Sequence, residues 1–286
     1  MSAFDDDIRL DLVATTGADS ALAGDAAFSG QVSPAWNIGA NPNGGYLLAL
    51  AASALRQVTP DQPDALSATV HYLRPGLPGQ ACRIDTALLR RGRALSTVRA
   101  TLRQQGDARL EVLAAMGRLE DPGSAPLLSL PMPDMPPPEA CLSRSAPAQG
   151  VDLPILARLD IRLHPGQAQP GAAGEAVVCG WIRFRDGRAP DPLACLLFAD
   201  AFPPAVFGLL GMVGWVPTVE LTVQVRGRPA PGWMLGRFQT RDLRDGRLIE
   251  DGLLWDSSGR LVAQSRQLAL LRRRGADWRV AACGGD

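Results

Sequence analysis

The chain has 286 residues, 29 basic and 29 acidic side chains, no net charge, and a hydrophobic content of 46%. That length and apolar content suit one large or two ordinary domains with a real core, and the lack of a cationic cluster argues against a nucleic-acid surface. No apolar stretch reaches the ~20 residues that span a bilayer, and the acidic N-terminus lacks a signal-peptide segment, so the sequence reads as cytoplasmic.

In chain order, residues 8–13 are the one strand candidate before Ala40, followed by a loop rich in Gly, Ala and Ser. Asn41-Pro42-Asn43-Gly44-Gly45 is a turn cluster that feeds an apolar helix-like run over 44–55. That run is hydrophobic on nearly every side, which predicts a helix buried all round. Strands follow at 66–73, 81–90, 94–104 and 109–119, joined by short connections carrying Gly, Asp or Pro, as antiparallel hairpins require. From 121 to 150 prolines crowd the chain, from Pro122 to Pro147, and the stretch reads as a semi-rigid linker without helix or sheet.

Past the linker, strands are predicted at 155–163 and 175–185. A second apolar helix over 191–202 opens with Asp191 as N-cap and Pro192 at N1. In the next strand Val219, Leu221, Val223 and Val225 alternate with Thr218, Glu220, Thr222 and Gln224, the period of a half-buried strand. Strands at 234–243, 247–255 and 260–272 complete a meander. The second half thus repeats the first, down to Arg74-Pro75 against Arg228-Pro229 at the first strand's exit. The fold class predicted is α+β, a tandem (double) hot-dog in which each half is an antiparallel sheet wrapped around a long buried helix. Its parts are an N-terminal unit at 1–120, the linker at 121–150 and a C-terminal unit at 151–286 that carries the site.

Several chemistries fall away. There is no lysine, which removes Schiff-base chemistry and a P-loop lysine. Only His71 and His164 could serve a serine or cysteine triad, and neither has a nucleophile motif nearby. Cys82, Cys141, Cys179, Cys195 and Cys283 are scattered and form no disulfide framework or zinc motif. No metal or cofactor is expected.

What remains is polar residues in apolar settings. Asp200 completes a helical stripe whose other members are Leu193, Leu196 and Leu197. It is either a general base or water-orienting group, or a helix-end Asp capping the Phe202-Pro203-Pro204 turn. On the last strand Gln264 and Gln267 face opposite ways, and Gln267 has the smaller, more apolar neighbours. Thr218 heads its strand on the face opposite Val219, shared with Thr222, unless a bulge near Pro217 changes its aim. Asn43, Gly44, Gly45 and Tyr46 start the first helix, where backbone N–H groups favour negative charge; a plain turn is the competing reading.

Taken together these residues resemble the acyl-CoA thioesterase II group of the double hot-dog superfamily. The markers are Asn43-Gly44-Gly45-Tyr46-Leu47, His71-Tyr72-Leu73-Arg74-Pro75, Phe198-Ala199-Asp200-Ala201-Phe202-Pro203-Pro204, Gly259-Arg260-Leu261-Val262-Ala263 and Ser265-Arg266-Gln267. The resemblance implies hydrolysis of acyl-CoA, with Asp200, Thr218 and Gln267 positioning the water and the Asn43–Tyr46 segment binding substrate. In the first copy the positions aligned with Asp200 and Gln267 fall near Ala52 and Met116, so one site per chain is expected. A hot-dog hydratase would want a histidine near a helix, which is lacking; a non-catalytic acyl-CoA or lipid binder is the main alternative. Open sheet edges suggest a homo-oligomer, dimer or larger.

Overall fold

The computed structural model describes residues 2–15, 25–120, 126–146, 150–212 and 214–271. Pro122, Pro147, Cys283 and the predicted strand end at Arg272 lie outside them. The chain opens with a short helix, α1 (Ala3–Asp7), which the sequence pattern missed. Ser2 caps it, and Phe4 packs on Trp36 and Phe184. The strand predicted at 8–13 begins later, as β1 (Asp11–Thr15), because Ile8 and Leu10 are drawn into the core at the helix exit. The loop expected next instead contains β2 (Ala26–Gln31), and β3 (Asn37–Ile38) and β4 (Asn41–Pro42) form a small hairpin.

Helix α2 (Gly44–Val58) is the buried helix the apolar run predicts. Asn43 caps it, its Oδ1 accepting from the Tyr46 N–H at 2.9 Å, and Gly45 to Leu55 are all buried. Strands β5 (Asp64–Tyr72), β6 (Ala81–Arg90), β7 (Ser96–Gln104) and β8 (Asp107–Gly117) follow. Beyond the densest prolines, β9 (Leu142–Ser143) pairs with β10 (Leu159–Leu163), so this part of the Pro-rich segment does join the sheet. β10 is shorter than predicted because Pro154–Ala157 coil as a 3-10 turn. After β11 (Val177–Phe184) comes α3 (Pro192–Phe198), opened by Asp191, whose Oδ1 accepts from Ala194 N. The predicted helix to 202 stops at Phe198. Pro203 and Pro204 cannot continue it, and a proline disfavours helical backbone in the residue before it. A short α4 (Val206–Leu210) leads to β12 (Thr218–Val225), β13 (Met234–Arg244), β14 (Arg247–Trp255) and β15 (Leu261–Leu270).

All but β3 and β4 form one antiparallel sheet, in the order β1-β2-β6-β7-β8-β5-β12-β15-β14-β13-β11-β10-β9. Read outward from the β5–β12 seam, the halves match strand for strand, with β8, β7, β6 and β2 answered by β15, β14, β13 and β11. Thr69 faces Thr222 across the seam, their hydroxyls 2.9 Å apart. This is the tandem hot-dog, with α2 and α3 side by side inside the sheet's curve. They run antiparallel: the start of α2 meets the end of α3, and Arg56 near the other end lies 3.7 Å from Asp191.

Gly45 makes that contact possible. A Cβ there would stand 2.7 Å from the Leu196 carbonyl oxygen and 2.8 Å from that of Leu197. Backbone cannot yield as a side chain does, so Gly45→Ala is expected to cost about 1–3 kcal/mol of unfolding free energy through overpacking, read by urea denaturation.

Candidate active site

Asp200 lies just past α3, its N–H still bonded to the Leu197 carbonyl at 3.2 Å. The turn carries its side chain to the N-terminus of α2. There Oδ2 accepts from the Gly45 N–H at 2.9 Å and from Asn43 Nδ2 at 3.0 Å. Asn43 Nδ2 also donates to the Asp200 carbonyl at 2.7 Å. Burial pushes the carboxyl up to about 6; the N–H groups of Gly45 and Gly44, the Arg144 charge and the Asn43 amide each oppose that rise. A free carboxylate at a helix N-terminus would be held low, so burial wins here. Arg144 comes from the Pro-rich segment and is itself buried, donating to the Ala201 carbonyl.

A second polar group crosses four strands. Thr218 Oγ1 donates to Gln267 Oε1 at 2.7 Å, and Gln267 Nε2 donates to Glu250 Oε1 at 2.7 Å. Glu250 Oε2 accepts from the Ala205 N–H at 2.7 Å and from the Thr240 hydroxyl at 3.3 Å. Sheet register builds the row, since Gln267 pairs with Glu250 and Glu250 with Thr240. Glu250 is 4% exposed, and burial raises its carboxyl to about 7, with the nearby Asp200 charge adding to the rise and its three donors opposing it.

Asp200, Thr218, Gln267 and Glu250 all line one cavity of about 390 Å³. Leu47, Phe202, Phe207 and Phe238 supply apolar wall, and Arg74 and the half-exposed Trp215 also border it. Such a pocket, apolar with a few convergent polar groups and two displaced carboxyl pKa values, has the makings of a catalytic site.

The structure brings Asp200, Thr218 and Gln267 to this one cavity, while Gln264 is exposed. Thr218 reaches it through a register shift between Thr218 and Glu220, which puts it off the face of Thr222. Asn43 and Gly44 line the cavity as well. Gly45 contributes its N–H to Asp200 instead of to a ligand. Tyr46 is turned elsewhere: its ring stacks on Trp36, and its hydroxyl donates to the Asp7 carbonyl and accepts from Ser33 N–H. His71 is exposed on the outer face, and His164 Nδ1 accepts from Gly166 N–H. Ala52 and Met116, the first-copy counterparts, are buried apolar positions.

Glu250 was not foreseen, although a signal existed. Leu248, Glu250, Gly252 and Leu254 share the inward face of β14, so Glu250 is an acid on an apolar stripe just as Asp200 is. Arg144 had no such signal, being embedded among prolines.

Two family models match the chain. The acyl-CoA thioesterase N-terminal domain matches residues 32–118, and the acyl-CoA thioesterase C-terminal domain matches residues 138–271. An uncharacterized protein of Mycobacterium tuberculosis is 32% identical over 268 residues, covering 85% of this chain and 90% of its own. Among solved structures, a candidate thioesterase II from Thermobifida fusca superposes with a TM-score of 0.79 at 33% identity, covering 96% of this chain and 98% of that one. A hot-dog protein of unknown function from Alicyclobacillus acidocaldarius has a TM-score of 0.80 at 24% identity, covering 96% of this chain and 100% of that one, a likeness of fold.

Proposed function

This chain belongs to the acyl-CoA thioesterase family of double hot-dog proteins, and from that premise we propose that it hydrolyses acyl-CoA to a free carboxylic acid and CoA at the cavity around Asp200. One observation carries the reading: a half-buried carboxylate, anchored at a helix N-terminus, shares an apolar cavity with a hydrogen-bonded Thr–Gln–Glu row.

The hydrogen bonds assign the roles. Glu250 has only acceptor oxygens when ionised, so it takes a Gln267 N–H and fixes that amide's orientation. Gln267 Oε1 then accepts the hydrogen bond of the Thr218 hydroxyl, leaving the Thr218 oxygen lone pairs to accept from a water. The second Gln267 N–H remains to hold that water's oxygen. Asp200 accepts the other water proton as the oxygen attacks the thioester carbonyl carbon. When the C–S bond breaks, Asp200 returns the proton to the departing thiolate. The acyl chain lies along the apolar wall, and the CoA portion leaves past Arg74 and Trp215.

Thiol release from a panel of acyl-CoAs, short to long, tests this directly. Turnover with a chain-length optimum is the expected result. Tight retention of acyl-CoA with no thiol released from any member of the panel would overturn it in favour of a binding protein.

A further inference from the structure

We propose that the Tyr72 hydroxyl donates the hydrogen bond that polarises the substrate's thioester carbonyl, a role that rests on the hydrolase reading above. Tyr72 ends β5, on the same face as the buried Ala68 and Val70 and opposite the exposed His71. That face turns it to the cavity, whose wall it joins beside Gly44. Its hydroxyl oxygen is sealed from solvent and has no hydrogen-bond partner among the described residues. Buried hydroxyls nearly always have a partner, so an unpaired one in a cavity wall is a group that waits for a ligand.

Its position fits the step. A Cβ on Gly44 would stand 2.8 Å from the Tyr72 hydroxyl oxygen and 2.9 Å from Asp200 Oδ2. Both oxygens therefore flank one point beside the Gly44 Cα. A small rotation of the Tyr72 ring opens the closed-off hydroxyl to a carbonyl oxygen at ~2.8 Å, whose carbon then stands ~3 Å from a water held by Asp200.

The neighbouring donors are already engaged. The Gly45 N–H and the Asn43 amide donate to Asp200, and the Gln267 amide serves Glu250 and the water. Burial and the Asp200 charge both push the phenol well above its usual range, so it stays protonated as a donor. In the step itself no proton leaves Tyr72. Water oxygen bonds to carbon, Asp200 takes the water proton, and the oxyanion accepts from Tyr72 until the C–S bond breaks.

Tyr72→Phe removes the hydroxyl and keeps the ring. It is expected to lower kcat at least tenfold with KM changed less than threefold and the melting temperature unchanged or raised. In parallel, infrared spectra of acyl-CoA labelled with 13C at the carbonyl, bound to Asp200→Asn and to Asp200→Asn/Tyr72→Phe, report the bond without turnover. The carbonyl stretch is expected to move to higher frequency when the hydroxyl is lost. A Tyr72→Phe enzyme with wild-type kcat, or a stretch identical in the two variants, overturns the Tyr72 assignment while leaving hydrolysis intact. A stretch that responds in a protein whose wild type releases no thiol keeps the contact and overturns the hydrolase reading alone. No turnover and no bound carbonyl overturns both.

Discussion

Asp200→Asn is expected to lower acyl-CoA hydrolysis by about 10²–10⁴-fold, the usual worth of a general base. The loss is expected in kcat, since asparagine keeps the shape and its Oδ1 can still accept the Gly45 N–H that Asp200 takes at 2.9 Å. Thiol release by wild type and variant on the same acyl-CoA measures it. Turnover unaffected by the change would remove Asp200 from the chemistry and leave Glu250 as the remaining buried carboxylate in the cavity.

The same residue sets a pH dependence. The base must be ionised, so Asp200 by itself is expected to lower kcat/KM by about tenfold per pH unit below its pKa of about 6, in addition to the inflection that Glu250 contributes near 7. Stability moves the other way. The folded-state pKa lies above the unfolded value of about 3.9, so holding the buried charge opposes folding. That cost is absent below the unfolded pKa, grows as pH rises toward 6 and is complete above it. Asp200→Asn is therefore expected to be more stable than wild type at pH 8, by on the order of 2 kcal/mol, with the gap shrinking at pH 5. Urea denaturation at both pH values checks the sign. A variant that gains stability while losing turnover is what the proposed role predicts for a desolvated general base.

The two helices, the meanders and the repeat were legible in the sequence because each rests on a local pattern. The run after Asn43 is apolar all round, and β12 alternates without a break. Where tertiary contacts decide, local pattern fails. β2, with Ala26-Ala27 and Ser29, is too weak a strand to stand out, yet its counterpart β11 was read, and the repeat itself could have located it. The end of α3 was set by Pro203 and Pro204, which the apolar run masks. Thr218 faces the cavity only because of a register shift that a period of two does not encode. Tyr46 sits in the motif but its ring packs on Trp36, whereas Tyr72, in a neighbouring motif, lines the cavity. Arg144 reaches Asp200's neighbourhood from a segment read only as a spacer.

Glu250→Gln is the sharpest test of the row behind the water. Glu250 accepts from Gln267, from the Ala205 N–H and from Thr240. A carboxamide replaces one acceptor oxygen with an NH₂ group, so it must confront either the Ala205 N–H or the Gln267 amide with a second donor. If Gln267 flips to escape, it presents NH₂ to Thr218 and removes the acceptor that Thr218 now uses at 2.7 Å. Thr218 and Gln267 then no longer hold the water at Asp200, and kcat is expected to fall by about 100-fold, comparable to losing a preorganised donor. KM is expected to stay within a few-fold, because Glu250 lies behind Gln267 and makes no claim on the acyl chain. A purely structural role would not move the pH profile, and here it is expected to move. Wild type carries two carboxyls with raised values, near 6 and 7, burial being the main cause of each. Glu250→Gln should erase the inflection near 7 and keep the limb near 6. A variant that retains both inflections and wild-type kcat would reduce Glu250 to a buried acid without a part in the reaction.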